Sequence, residues 1–176
     1  MMKKIFTLLL LVFCLTMQAQ IQRTIAGCTL GSSMSEVKSI LKKNGFKIEY
    51  VDNETLSFQM STFDGMKTES VKFCFYNDKL YDVDIFFKAS TEESEMQSEF
   101  LKINEYLNSK YGNYIMHTDN NDIISYKDEQ TMCYLRKFSQ KVNEELSIYL
   151  FFIGCFDNAL MNQKQKDEKD DYWFFK

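Results

Sequence analysis

The chain has 176 residues, with 21 basic and 25 acidic side chains, and a formal net charge of -4 at pH 7. Residues 1–19 carry two lysines and no acids, so their removal would take the charge to -6. An acidic chain is a poor match for nucleic-acid phosphates, which lysine and arginine must neutralise, and equally for an anionic lipid surface. The expected partner is a protein or another envelope component.

Residues 1–19 have the plan of a secretory signal peptide: Lys3 and Lys4, an apolar stretch from Ile5 to Met17, then Gln18-Ala19-Gln20. The apolar stretch is shorter than the roughly 20 residues of a membrane span. Cleavage is expected after Ala19, which makes the chain periplasmic or secreted; retention as an N-terminal anchor is the alternative. Cys14 raises the possibility of lipid attachment, but Phe13 stands where a lipoprotein signal wants a small residue. About 157 residues then remain, enough for one domain or two small units sharing a core. No second long apolar run follows, so no transmembrane segment is expected after cleavage.

Residues 21–31 read as an extended lead-in. Ser33-x-x-Glu36 is a capping box, Val37, Ile40 and Leu41 lie near one face, and Gly45 supplies a C-terminal stop. Four alternating stretches follow. Phe46, Ile48 and Tyr50 form the first row, and Leu56, Phe58 and Met60 the second. Val71, Phe73 and Phe75 form the third, and Tyr81, Val83, Ile85 and Phe87 the fourth. Period-two alternation joined by Asn, Asp and Gly turns predicts an antiparallel meander.

The pattern then restarts. Ser90-x-x-Glu93 reads as a second capping box, and Met96, Phe100, Ile103, Leu107 and Tyr111 form an amphipathic helix closed by Gly112. Strands are expected at 113–118, 123–127, 131–138 and 145–153. Gly45 and Gly112 are 67 residues apart, and the starts of the fourth strands, near Lys79 and Glu145, are 66 apart. That offset predicts an α+β fold of two tandem helix-plus-four-strand units, 20–89 and 90–155. Residues 156–176 follow as a short helix and the aromatic tail Tyr172-Trp173-Phe174-Phe175. The alternative is one mixed domain in which the second helix is a crossover.

Chemistry-bearing motifs are sparse. His117 is the single histidine, at a strand end beside Asp119-Asn120-Asn121-Asp122, and no nucleophile motif accompanies it. That Asp/Asn run lacks the spacing, glycine and distal glutamate of a calcium loop and reads as a turn. Gly27-Cys28-Thr29-Leu30-Gly31 lacks the lysine of a phosphate loop. Asp82 and Asp84, two apart on one strand, could do acid-base work, but a wet sheet face explains them more simply. No catalytic, metal or cofactor site is expected, and the chain reads as non-enzymatic. Cys28, Cys74, Cys133 and Cys155 form an even set after cleavage and are candidates for disulfides, in any of three pairings, or for buried free thiols.

The remaining signal is aromatic. Tyr76 and Phe86 fall on the face opposite the first unit's core, and Tyr149 and Phe151 alternate with Leu146, Ile148, Leu150 and Phe152. Aromatics on a polar sheet face suit a protein interface, so these four are the candidate interaction residues. The alternative is a small ligand-binding or hydrolytic domain with a cleft between the halves.

Ile25-x-Gly27-x-Thr29, Glu36-Val37-x-x-x-Leu41 and Gly45 resemble the opening of envelope domains of the β-lactamase-inhibitor-protein type. They are also similar to the SmpA/OmlA outer-membrane lipoprotein family. The lysine-rich start ending in Gln18-Ala19-Gln20 resembles secreted proteins of Bacteroidetes. The inhibitor family is built from two tandem copies of helices followed by a four-stranded sheet. The resemblance therefore implies that fold and a binding role, and carries no site residue.

Overall fold

A computed structural model describes residues 21–112, 115–117, 123–143 and 146–168, with 115–117 described by backbone alone. The segment expected to be a signal peptide, with Cys14, the turn expected at Asp119–Asp122, the residues Tyr172–Phe175 and the side chain of His117 lie outside the described residues.

Strand alternation decides the architecture. Among the described residues the strands run β1 (Thr24–Ile25), β2 (Cys28–Thr29), β3 (Ile48–Val51), β4 (Thr55–Gln59), β5 (Thr62–Phe63), β6 (Met66–Lys67), β7 (Ser70–Tyr76), β8 (Lys79–Phe86), β9 (Ile115–His117), β10 (Ile123–Lys127), β11 (Thr131–Lys141) and β12 (Ser147–Asp157). Helix α1 (Met34–Lys43) precedes β3, α2 (Glu93–Tyr111) precedes β9, and α3 (Asn158–Glu168) follows β12. Eight strands join in one antiparallel sheet of order β3-β4-β7-β8-β12-β11-β10-β9. The fold of the described residues is thus α+β, with a large antiparallel sheet and three helices, the last short and C-terminal. No helix among the described residues is long and apolar enough to cross a membrane.

Helix α1 forms as its capping box directs. The Glu36 amide donates to Ser33 Oγ at 3.3 Å, and the Ser33 amide donates to the Glu36 carboxylate at 2.8 Å. Gly45, at φ +78°, turns the chain out of the helix in a conformation that a side chain would strain. Helix α2 buries all five residues of its expected stripe. Its start differs from the capping box expected at Ser90. Ser90 is held as a sheet extension, exchanging backbone hydrogen bonds with Tyr149 at 2.9 and 2.8 Å, so the helix begins at Glu93 without a side-chain cap.

Both α1 and α2 lie on one face of the sheet, over a core that includes Leu56, Phe58, Phe73, Ile85, Tyr126, Leu135 and Ile153. Helix α3 lies on the other face, where Met161 packs with Cys74, Tyr81, Met132 and Phe156. A β-bulge sets what that second face presents. The β7–β8 register jumps from Cys74 opposite Asp82 to Phe75 opposite Leu80, leaving Tyr81 as the extra residue. Leu80 therefore takes the core position expected for Tyr81, and Tyr81 turns toward α3.

The cysteines divide by face. Cys133 and Cys155 are cross-strand partners on β11 and β12 and form a disulfide. Cys28 and Cys74 are buried free thiols, the other outcome that the even count left open. The physical reason is the sheet between them: Cys28 lies in the core beneath α1, Cys74 on the α3 side.

Candidate functional site

Cross-strand register on the α3 face builds a row that sequence spacing alone does not reveal. Lys72 on β7 pairs with Asp84 on β8, Asp84 with Gly154 on β12, and Gly154 with Tyr134 on β11. The next row runs from Cys74 through Asp82 and Phe156 to Met132. One thiol, two carboxylates, a lysine and a phenol thus stand on four adjacent strands.

Gly154 lets the row close. A Cβ there would come within 3.0 Å of Cζ, Cε1 and the hydroxyl of Tyr134, because the tyrosine ring lies over the glycine to reach the strand beyond. Its hydroxyl donates to Asp84 Oδ1 at 3.2 Å. Phe152 and Phe156 flank the ring, at centroid distances of 5.7 and 6.2 Å. Asp82 lacks such a donor on one side: its Oδ1 is sealed from solvent and has no hydrogen-bond partner. Buried polar atoms nearly always find partners, so an orphan oxygen is informative.

The electrostatics follow from enclosure. Burial, with Asp84 adding like charge, pushes the Asp82 carboxyl well above the usual carboxylate range. Burial also lifts Asp84 to about 6, against the opposing pull of Lys72 and the Tyr134 hydroxyl. Burial first, and Asp82 second, push the Cys74 thiol up to about 12. Sγ of Cys74 and one oxygen each of Asp82 and Asp84 all lie within 4.8 Å of one another. The wet-face reading of this carboxylate pair is therefore corrected: the polar-looking segment after β12 folds as α3 and helps enclose it.

The aromatic candidates split between the two faces. Tyr76 and Phe86 stand on the α3 side, Tyr76 giving its hydroxyl hydrogen to Asp167 of α3. Phe86 stacks obliquely on Phe152 at 5.4 Å. Phe151 is buried in the opposite core, stacked on Phe87 at 4.7 Å and edge-on to Phe100 at 6.3 Å. Tyr149 packs half-buried against the same core. The parity of β12 is the reverse of that expected: pairing of Phe152 with Phe86 sends even-numbered residues to the α3 side. Phe152, Leu150 and Ile148 belong to the outer face in place of Phe151 and Tyr149.

A cleft lies elsewhere, an open pocket of about 250 Å³ between α2 and the β5–β6 hairpin, lined by Met66, Phe87 and Ile103 among others. Asp64 of that hairpin accepts from the Tyr106 hydroxyl and from Lys110 Nζ, the latter at 2.9 Å. Exposed ion pairs contribute little, so Asp64→Ala costs less than about 1 kcal/mol. It does release the hairpin. Amide exchange at residues 62–67 rises while the global melting curve stays nearly unchanged; unchanged exchange would refute the latch.

No protein-family model, curated protein or solved structure matches this chain.

Proposed function

We propose that this chain is an exported, non-enzymatic binding module that grips a protein partner with the outer face of its sheet. On this reading β3-β4-β7-β8 with α1, and β9-β10-β11-β12 with α2, are two tandem units fused through β8–β12. The feature that carries the proposal is the part of the α3 face that α3 leaves bare. There the buried Phe152 lies between half-buried Phe86, in tilted contact, and Phe138, edge-on and 40% exposed. Leu150 pairs with Phe138, and the strip continues to the tip of the β11–β12 hairpin, where Val142 is 52% and Leu146 37% exposed. A contiguous aromatic and aliphatic strip on a rigid sheet is costly to leave in water and has the composition of an interface core.

The hydrolytic alternative is weaker, because the acid pair and the open pocket lie on opposite faces of the sheet. A binding experiment separates partner recognition from general stickiness. Immobilised protein is exposed to an envelope extract beside two variants that keep its melting temperature. Phe138→Asp combined with Leu146→Asp should reduce retention of the captured species about tenfold, the loss of one modest hot spot. Leu101→Asp, on the exposed side of α2, should leave it intact. Equal retention by all three proteins would overturn the proposal.

A further inference from the structure

We propose that Cys74, Asp82 and Asp84 bind one divalent transition-metal ion of the zinc type. Three observations converge on it. The donors Sγ and two carboxylate oxygens come within 4.8 Å of one another from two adjacent, central strands. Zinc–oxygen bonds of about 2.0–2.2 Å and zinc–sulfur bonds of about 2.3 Å place neighbouring donors roughly 3.3–3.8 Å apart. Small side-chain rotations therefore suffice to close the set around an ion. Second, Oδ1 of Asp82, a member of this cluster, is sealed from solvent and has no hydrogen-bond partner. A cation satisfies it where no protein donor does. Third, a dication neutralises two half-buried carboxylates that stand side by side, whereas Lys72, paired across from Asp84 and hydrogen-bonded to Cys74, brings one positive charge.

The donor types select the metal class. Calcium and magnesium take oxygen ligands, while a thiolate favours zinc, cobalt or cadmium. The surroundings act as an outer support: the Tyr134 hydroxyl holds Asp84 Oδ1 and orients that carboxylate. Lys72 is half-buried, and its long stem lets the ammonium move toward water. Asp84 is also half-buried, which leaves an approach from the solvent side and room for water as a further ligand. Binding requires the thiolate, so the Cys74 proton leaves to solvent as the metal–sulfur bond forms, and affinity rises with pH.

Cobalt(II) is the direct probe. Chelator-stripped protein titrated with cobalt should develop a thiolate-to-cobalt charge-transfer band that saturates at one ion per chain and is bleached by zinc. Cys74→Ser should abolish the band, and Cys28→Ser, which removes the other free thiol, should preserve it. Asp82→Asn leaves the thiol in place and should weaken zinc binding at least tenfold by calorimetry. It provides an independent arm if Cys74→Ser fails to fold. No band up to millimolar cobalt, a band that survives Cys74→Ser, or zinc affinity unchanged in Asp82→Asn would overturn the proposal.

Discussion

Replacing Gly154 with alanine should cost about 2–3 kcal/mol, because the new methyl group occupies space already filled by the Tyr134 ring. The ring cannot yield freely, since Phe152 and Phe156 flank it and its hydroxyl is bound to Asp84. Displacing it breaks that hydrogen bond and opens the carboxylate pair to water, so the loss of stability should come with a fall in the Asp84 pKa. Urea denaturation of four proteins tests the cause: wild type, Gly154→Ala, Tyr134→Ala and the double variant. If the ring is the obstacle, the double variant is no less stable than Tyr134→Ala alone, a coupling of a neighbouring pair. Additive losses would place the penalty in the β12 backbone instead.

The second large effect is on pH dependence. With metal removed by chelator, the protein should grow more stable as pH falls from about 8 to about 5. The sign follows from the folded values lying above the unfolded one. Asp84 titrates at about 6 when folded and Asp82 is also raised, whereas an unfolded aspartate titrates near 3.9. Between those values the folded chain holds protons that the unfolded chain has released. This contribution is fully present below the unfolded value and is lost as pH rises through the folded ones. For Asp84 a shift of about two units corresponds to on the order of 3 kcal/mol at most, with partial exposure reducing it. Asp82→Asn removes the need to bury a charge beside Asp84. It should raise stability at pH 8 by about 1–3 kcal/mol and flatten the slope. Below about pH 4 the trend is opposed by Glu36 and Asp52, whose carboxylates are held below their ordinary range by hydrogen bonds from Ser33 and from Glu54 and Tyr50 respectively. Chemical denaturation at stepped pH checks both statements, and stability that rises between pH 5 and 8 in the wild type would refute them.

Much of the fold was legible because the sheet alternates cleanly. The rows Leu56-Phe58 and Val71-Phe73-Phe75, and the stripe Met96-Phe100-Ile103-Leu107-Tyr111, are all buried. The failures occur where one residue changes parity. In β8, the bulge at Tyr81 exchanges the roles of Leu80 and Tyr81. In β12, both faces are apolar, so alternation could not say whether Phe151 or Phe152 faces the helices. Only pairing with Phe86 decides it. The site was half legible. Asp82 and Asp84 were visible as a same-face pair, but Cys74 and Tyr134 join them through register, which depends on long-range pairing. The signals that could have pointed there were Gly154, a glycine inside an apolar strand, and Met161 within a polar helix. Each marks a close approach to the α3 face.

The order of strands also has a kinetic consequence. Most neighbours in the sheet are joined by short connections, but β8 and β12 pair residues 66 to 74 positions apart. Loop-closure entropy makes that central contact the expensive one, and local meanders form ahead of it. The chain is made N-terminus first, so β8 is complete long before β12 exists and must wait as an open edge. A waiting edge rich in Val83, Ile85 and Phe86 invites pairing with another chain. Two acids on the same face of that strand, Asp82 and Asp84, charge that edge while it waits and discourage wrong partners. The pair that is awkward in the finished protein therefore guards the strand during assembly.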